Sequence, residues 1–263
     1  MPDYTDHYGP EGLLTRGTVI VVPGRGETRA TYARLGKRLA ADAYRVRVID
    51  APVVEDGGDG DTAGPLTAFA DRLAEAVVGT AGDGTAGADG IVHPVVLIGA
   101  DSGAAAAAAL LGRAELPAAG RPDALVLAGL PGRATGAVDT WDAELDVRTS
   151  CPTHRTTLTQ DSQVRRGSLG VPIPDAVLTA AHDGDIDVPV LFLIGDADPL
   201  ADHEALTRTA KSLDQARLSV VRGAHHDVLN DLQHRSVAAE IVTFLETLRD
   251  ELRPVLRVET SSW

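Results

Sequence analysis

The sequence predicts an α/β protein built on a doubly wound, mainly parallel sheet with a helical cap inserted into it. Three observations lead there. Short β-branched runs alternate with stretches whose apolar residues recur at helical spacing, the rhythm runs along most of the 263 residues, and one long segment, residues 131–187, interrupts it. Alternating strands and helices place successive strands parallel and cover both faces of the sheet. The chain therefore divides into a core of residues 1–130 and 188–263 and a cap of residues 131–187.

Taken in order, GTVIVV at 17–22 is β-branched and bounded by glycines, the pattern of a buried parallel strand. The Gly-rich turn PGRGE follows, and in residues 28–42 the apolar positions Tyr32, Leu35, Leu39 and Ala40 fall on one helical face. YRVRVID is a second strand, 65–79 a helix, HPVVLIG at 93–99 a strand and AAAAAALLGRA at 104–114 a helix. Strands ALVLAGL (124–130) and VPVLFLIG (188–195), a helix over 202–213, the strand ARLSVV and a last helix, SVAAEIVTFLETLRD, complete the core. The short lead before residue 17 leaves room for at most a brief extra hairpin, and the Gly- and Asp-rich stretch 80–90 is expected to be a surface loop. Within residues 131–187, VDTWDAELD and IPDAVLTAAH carry helical patterns of their own, as expected of a cap over the C-terminal edge of the sheet, where open α/β sheets bind ligands.

Composition excludes several classes. A formal net charge of −14, spread along the chain, repels nucleic acid and anionic membrane surfaces. The single cysteine, Cys151, cannot form an internal disulfide. No apolar run reaches bilayer length and the start lacks a basic and then hydrophobic signal segment, so a cytoplasmic protein without membrane insertion is expected. The acidic runs EDGGDGD and DGDID lack calcium-loop spacing and no phosphate-binding GxxxxGK[ST] loop occurs. No metal or cofactor is expected, and the partner is a small-molecule substrate; the oligomeric state is not legible.

Three strand ends carry chemistry in the order nucleophile, acid, base. IGADSGA joins a buried strand to an Ala-rich helix, and Gly99 and Gly103 supply the small residues that such a sharp turn demands. In LFLIGDADPLAD, Asp198 can hold an imidazole in one tautomer and stabilise it once protonated; Asp196 is its near neighbour. VVRGAHHDVLND presents His225 and His226 on a turn, and histidine is the usual general base because its pKa lies near working pH.

This chain order is that of α/β-hydrolases. GAHHDVLND resembles the histidine loop of the monoacylglycerol lipase and lysophospholipase family, and PGRGE with the following Tyr32 resembles that family's HGxGE motif and tyrosine. The resemblance implies the α/β-hydrolase fold, an esterase-like hydrolase with His226 as base and Asp198 as acid, and an oxyanion hole using the backbone N–H of Arg25, after Gly24, together with that of the residue following the nucleophile. Pro23 replaces the family's histidine, and Asp101 occupies the serine position.

The nucleophile turn has two registers one residue apart. Gly99-Ala-Asp-Ser-Gly103 places Asp101 at the tip and resembles the GxDxG elbow of epoxide hydrolases and haloalkane dehalogenases; Ala100-Asp-Ser-Gly-Ala104 places Ser102 there and restores a Ser-His-Asp triad. The first register is preferred, with Ser102 then supplying an oxyanion N–H. In the cap, Trp141, Arg148, Cys151, His154 and Arg155 are candidates to line the pocket, Trp141 foremost. The alternatives are a dinucleotide-binding oxidoreductase, suggested by VVPGRGETR between a strand and a helix with Asp50 ending the next strand, and a non-catalytic binding protein on the α/β-hydrolase scaffold.

Overall fold

The computed structural model describes residues 4–54, 63–82, 89–112, 120–133, 138–256 and 259. Most of the 80–90 stretch and the acidic run 55–61 lie outside the described residues. The elements are β1 (Tyr4–His7), β2 (Thr18–Val22), α1 (Ala33–Ala41), β3 (Arg45–Ile49), α2 (Ala63–Val78), β4 (Val95–Ala100), α3 (Ser102–Leu111), β5 (Ala124–Ala128), α4 (Trp141–Arg148), α5 (Pro152–Gln160), α6 (Asp175–Asp183), β6 (Val190–Gly195), α7 (His203–Ser212), β7 (Ala216–Val221) and α8 (His234–Arg249). They form a seven-stranded sheet in the order β1-β3-β2-β4-β5-β6-β7. Every pairing is parallel except β1 with β3.

Strand periodicity sorts the core into two layers. Ile20, Val22, Leu97, Leu125, Leu127 and Phe192 face α2, α3, α6 and α7, whereas Val19, Val21, Val96, Ile98, Val126 and Leu191 face α1 and α8. In α3 every residue is buried, Ala104 to Ala109 without exposed surface. Alanine suits that position twice: it has the highest helix propensity, and its short side chain lets the sheet and α6 approach closely on opposite sides.

The lead segment departs from expectation by adding an antiparallel edge strand rather than a hairpin. What pins β1 is polar: Arg47 reaches Asp6 Oδ1 and Oδ2 at 2.7 Å each and lies 3.7 Å under the Tyr4 ring. Arg45 and Arg47 of β3 are both buried, and both pair with Asp6.

Between β5 and β6 lie α4, α5 and α6. Leu145 of α4 and Leu158 of α5 pack with Val164 and Trp141 in a small cluster of their own. Val177, Leu178 and Ala181 of α6 instead join the large core cluster against α3.

Candidate active site

The turn between β4 and α3 is tight. Asp101 adopts φ 47°, ψ −116°, a region that a residue with a Cβ occupies at a cost of about 1–3 kcal/mol. Its neighbours must be small. A Cβ on Gly99 would stand 2.6 Å from Gly103 O, and one on Gly103 would stand 2.6 Å from the carbonyls of Val22 and Pro23. Gly24 belongs to the same packing problem, since a Cβ there would approach Asp101 Cβ to 2.8 Å. Asp101 thus stands at the tip of the turn, and Ser102 opens α3 behind it.

His226 lies between two carboxylates. Its Nε2 is 3.1 Å from Asp101 Oδ1 and its Nδ1 is 2.9 Å from Asp198 Oδ2. The loop after β6 fixes Asp198 by a hydrogen bond from Leu200 N to Oδ1 (2.8 Å), and the histidine loop is tied to the cap by His226 N donating to Val147 O (3.2 Å). Burial opposes the charged imidazolium, yet Asp198 and Asp101 outweigh it and push the His226 pKa up to about 10. As an imidazolium the ring can donate to both acids at once. Burial likewise opposes an ionised Asp101, and the charge of Arg25 together with the hydrogen bond from His226 holds its carboxyl well below the usual range.

Arg25 encloses the same carboxylate. Its backbone N–H donates to Oδ2 (2.8 Å), Nε to Oδ2 (2.9 Å) and Nη2 to Oδ1 (2.7 Å), while Nη1 donates to Val171 O (2.6 Å) and Leu169 O (3.2 Å). From sequence, only the backbone of Arg25 entered the site; the guanidinium was missed, although an arginine between two glycines in PGRGE was a visible signal.

Behind Arg25 lies a buried ionic cluster. Arg148 bonds Glu144 Oε1 (2.9 Å) and Arg25 O (2.7 Å) and sits 3.5 Å from Asp227 Oδ1, whose other oxygen is 2.8 Å from His154 Nε2. Glu27 Oε2 accepts from Gly24 N (2.9 Å) and from Tyr32 OH. Burial, then the nearby Asp227, raises the Glu27 pKa; Arg148 and His154 lower that of Asp227 against burial. Glu27, His154 and Asp227 bring potential metal-ligating atoms within 4.8 Å of one another. Arg148 already supplies that cluster with a cation.

The remaining candidates divide clearly. Ser102 is buried but its Oγ has no hydrogen-bond partner, and His226 Nε2 meets Asp101 instead. Gly24 turns its N–H to Glu27, away from Asp101. Trp141 donates from Nε1 to Thr159 Oγ1 (3.3 Å) and stacks near Arg166, outside the Asp101–His226–Asp198 group. Arg148 and His154 are buried partners of Asp227 rather than lining groups, Cys151 is buried near Arg34, and Arg155 pairs with Asp146. His225 bonds Asp231, whose pKa is lowered to about 2, and Asp196 accepts from Gly223 N. Asp50, which figured in the dinucleotide-binding alternative, pairs with Arg29 at 3.0 Å.

The cleft beside Asp101 has a volume of about 30 Å³ and is lined by Arg25, Arg165, Ser102 and Ser168 with the apolar Val171 and Ile173 among others. A larger cleft of about 480 Å³, bordered by His93, Pro94, Asp123 and Pro189, opens at the N-terminal ends of the strands, the edge opposite Asp101. No helix among the described residues is long and apolar enough to cross a membrane.

No curated protein matches the chain by sequence. The family model described as TAP-like protein matches residues 170–252, the stretch that carries Asp198 and His226. Among solved structures, a soluble variant of monoglyceride lipase from Saccharomyces cerevisiae, in complex with a substrate analogue, is similar at TM-score 0.69 and 16% identity, covering 93% of this chain and 91% of that one. Monoacylglycerol lipase from Paleococcus ferrophilus is similar at TM-score 0.66 and 19% identity, with 92% and 97% covered. The enol-lactonase from Burkholderia xenovorans LB400 gives TM-score 0.62 and 18% identity over 92% and 95%. With its seven-stranded sheet, its elbow and these likenesses, the chain has the α/β-hydrolase fold and structurally resembles the monoacylglycerol lipases.

Proposed function

We propose that this chain is a hydrolase acting on a small organic substrate through Asp101 as nucleophile, His226 as acid and base, and Asp198 as the group that orients and stabilises His226. The observation that carries the reading is the unbroken line Asp101–His226–Asp198, with hydrogen-bond distances of 3.1 and 2.9 Å. The bond attacked is a carboxylic ester or a related carbon–heteroatom bond, opened at its alkyl carbon. Attack by a carboxylate on an ester carbonyl would have to expel an alkoxide in preference to the carboxylate itself, so the tetrahedral adduct would collapse backwards.

The cycle balances. A carboxylate oxygen of Asp101 bonds to the substrate carbon as the leaving group departs with the electron pair, and the His226 imidazolium gives that group its Nε2 proton. His226 is now neutral, and because Asp101 is esterified one of the two charges that raised its pKa is gone. Water then attacks the ester carbonyl and gives its proton to Nε2, the Arg25 N–H stabilises the oxyanion at Oδ2, and collapse releases the alcohol and restores the carboxylate and the imidazolium. We further read residues 131–187 as the cap over this site, its covering part running from α4 to residue 173, and the protein as cytoplasmic.

A single turnover in ¹⁸O-water tests this: the expected result is heavy oxygen in the Asp101 carboxylate, by peptide mass mapping. Exclusive capture of Ser102 by a fluorophosphonate overturns it. The closure of both Asp101 oxygens by Arg25 supports a second reading, a binding protein on a hydrolase scaffold. Absence of label in Asp101 with every substrate class that binds selects that one.

A further inference from the structure

The nucleophile is held by a group that must let it go. Arg25 grips both oxygens of Asp101 with Nε and Nη2 and anchors itself by Nη1 to Leu169 O and Val171 O at the cleft mouth. An oxygen whose lone pairs are committed to a guanidinium is a poor nucleophile, so a productive substrate has to offer Arg25 a replacement partner. A carboxylate is that replacement. It accepts the guanidinium fork in the same bidentate geometry as Asp101, and the exchange leaves the partly buried Arg25 paired.

The cleft supports this choice. In a chain of formal net charge −14, the described residues lining the space beside Asp101 include two arginines, Arg25 and Arg165, and among those described residues no acidic side chain. Ser102, whose buried Oγ has no hydrogen-bond partner, and Ser168 add polar atoms, while Val54, Val171, Pro172 and Ile173 bound a short apolar space. At about 30 Å³ the space is no larger than one water's share of liquid volume, so an organic acid enters only as the Arg25 side chain swings away from Asp101.

We propose that Arg25, with Arg165 beside it, is the receptor for a carboxylate carried by the substrate: the substrates are small organic acids bearing the scissile bond, and their binding releases Asp101 for attack. The substrate assignment rests on the reading of Asp101 as nucleophile; the anion site can be measured without turnover.

The test is a calorimetric titration of the full-length protein with propionate and, as the uncharged control, propionamide. Wild-type protein is expected to bind propionate and not propionamide. Asp101→Asn, which removes the internal competitor, is expected to bind propionate about ten-fold tighter or better. Arg25→Gln is expected to abolish binding and Arg165→Gln to weaken it, with circular dichroism reporting whether each variant is folded. Equal binding of propionate and propionamide by both wild type and Asp101→Asn overturns the proposal, whatever becomes of the Arg25 variant. Failure of the two readings is separable. Arg25-dependent propionate binding without ¹⁸O in Asp101 leaves the anion site standing and removes the hydrolase; label in Asp101 without propionate binding does the reverse.

Discussion

Replacing Asp101 by Asn should lower the titration midpoint of His226 by about three pH units. The imidazolium and the Asp101 carboxylate meet at 3.1 Å between Nε2 and Oδ1, which puts their charge centres about 4 Å apart. At that separation and an effective dielectric constant of about 20, a unit pair interacts by about 4 kcal/mol, and each 1.36 kcal/mol is one pH unit. From a starting value of about 10, the midpoint should fall to about 7 or below. The direction is reinforced by Arg25, whose positive charge, 2.7 Å from Asp101 Oδ1 in the native protein, loses its neutralising partner in the variant. The assay is NMR titration of ring-labelled histidine, with His226 assigned by comparison with His226→Gln. A midpoint that stays near 10 in Asp101→Asn would refute the reasoning, because the proton would then be held by Asp198 alone.

Other expectations follow from the same geometry. His226→Ala should lower turnover about a thousand-fold or more, whereas His225→Ala, whose ring bonds Asp231, should be milder; equal losses in steady-state assays would dissolve the distinction. Asp198→Asn should cost more activity than Asp196→Asn, since Asp196 meets Gly223 N and not the imidazole. The folded His226 pKa of about 10 lies above its unfolded value, so its contribution to stability is complete below about pH 6.5 and is lost as pH rises through about 10. Urea midpoints should therefore fall more between pH 7 and 10 for wild type than for Asp101→Asn, and parallel curves would contradict this. Phe192→Ala, which empties a fully buried site under the sheet, should cost about 3–5 kcal/mol by urea denaturation.

The alternation of strands and helices was legible because periodicity is a local property: each of TVIVV, VVLIGA and VLFLIG announces burial on both faces by its own composition. The elbow was legible for a similar reason, since Gly99 and Gly103 flank a backbone that crowds any larger residue. The placement of Asp198 and His226 a few residues past the ends of β6 and β7 was legible too. Tertiary structure decided what depends on partners far along the chain. Asp101 and Ser102 are adjacent in sequence, and only the packing of a loop 125 residues away brings His226 to the first. The Arg25 guanidinium closes on a carboxylate 76 residues distant, Arg148 and His154 are drawn inward by Asp227, and β1 exists because Asp6 meets Arg47 across a strand pair. A long charged side chain reads as solvent-facing in sequence because its burial costs several kcal/mol unless a counter-charge waits for it. Whether that counter-charge is present is a fact about the folded chain.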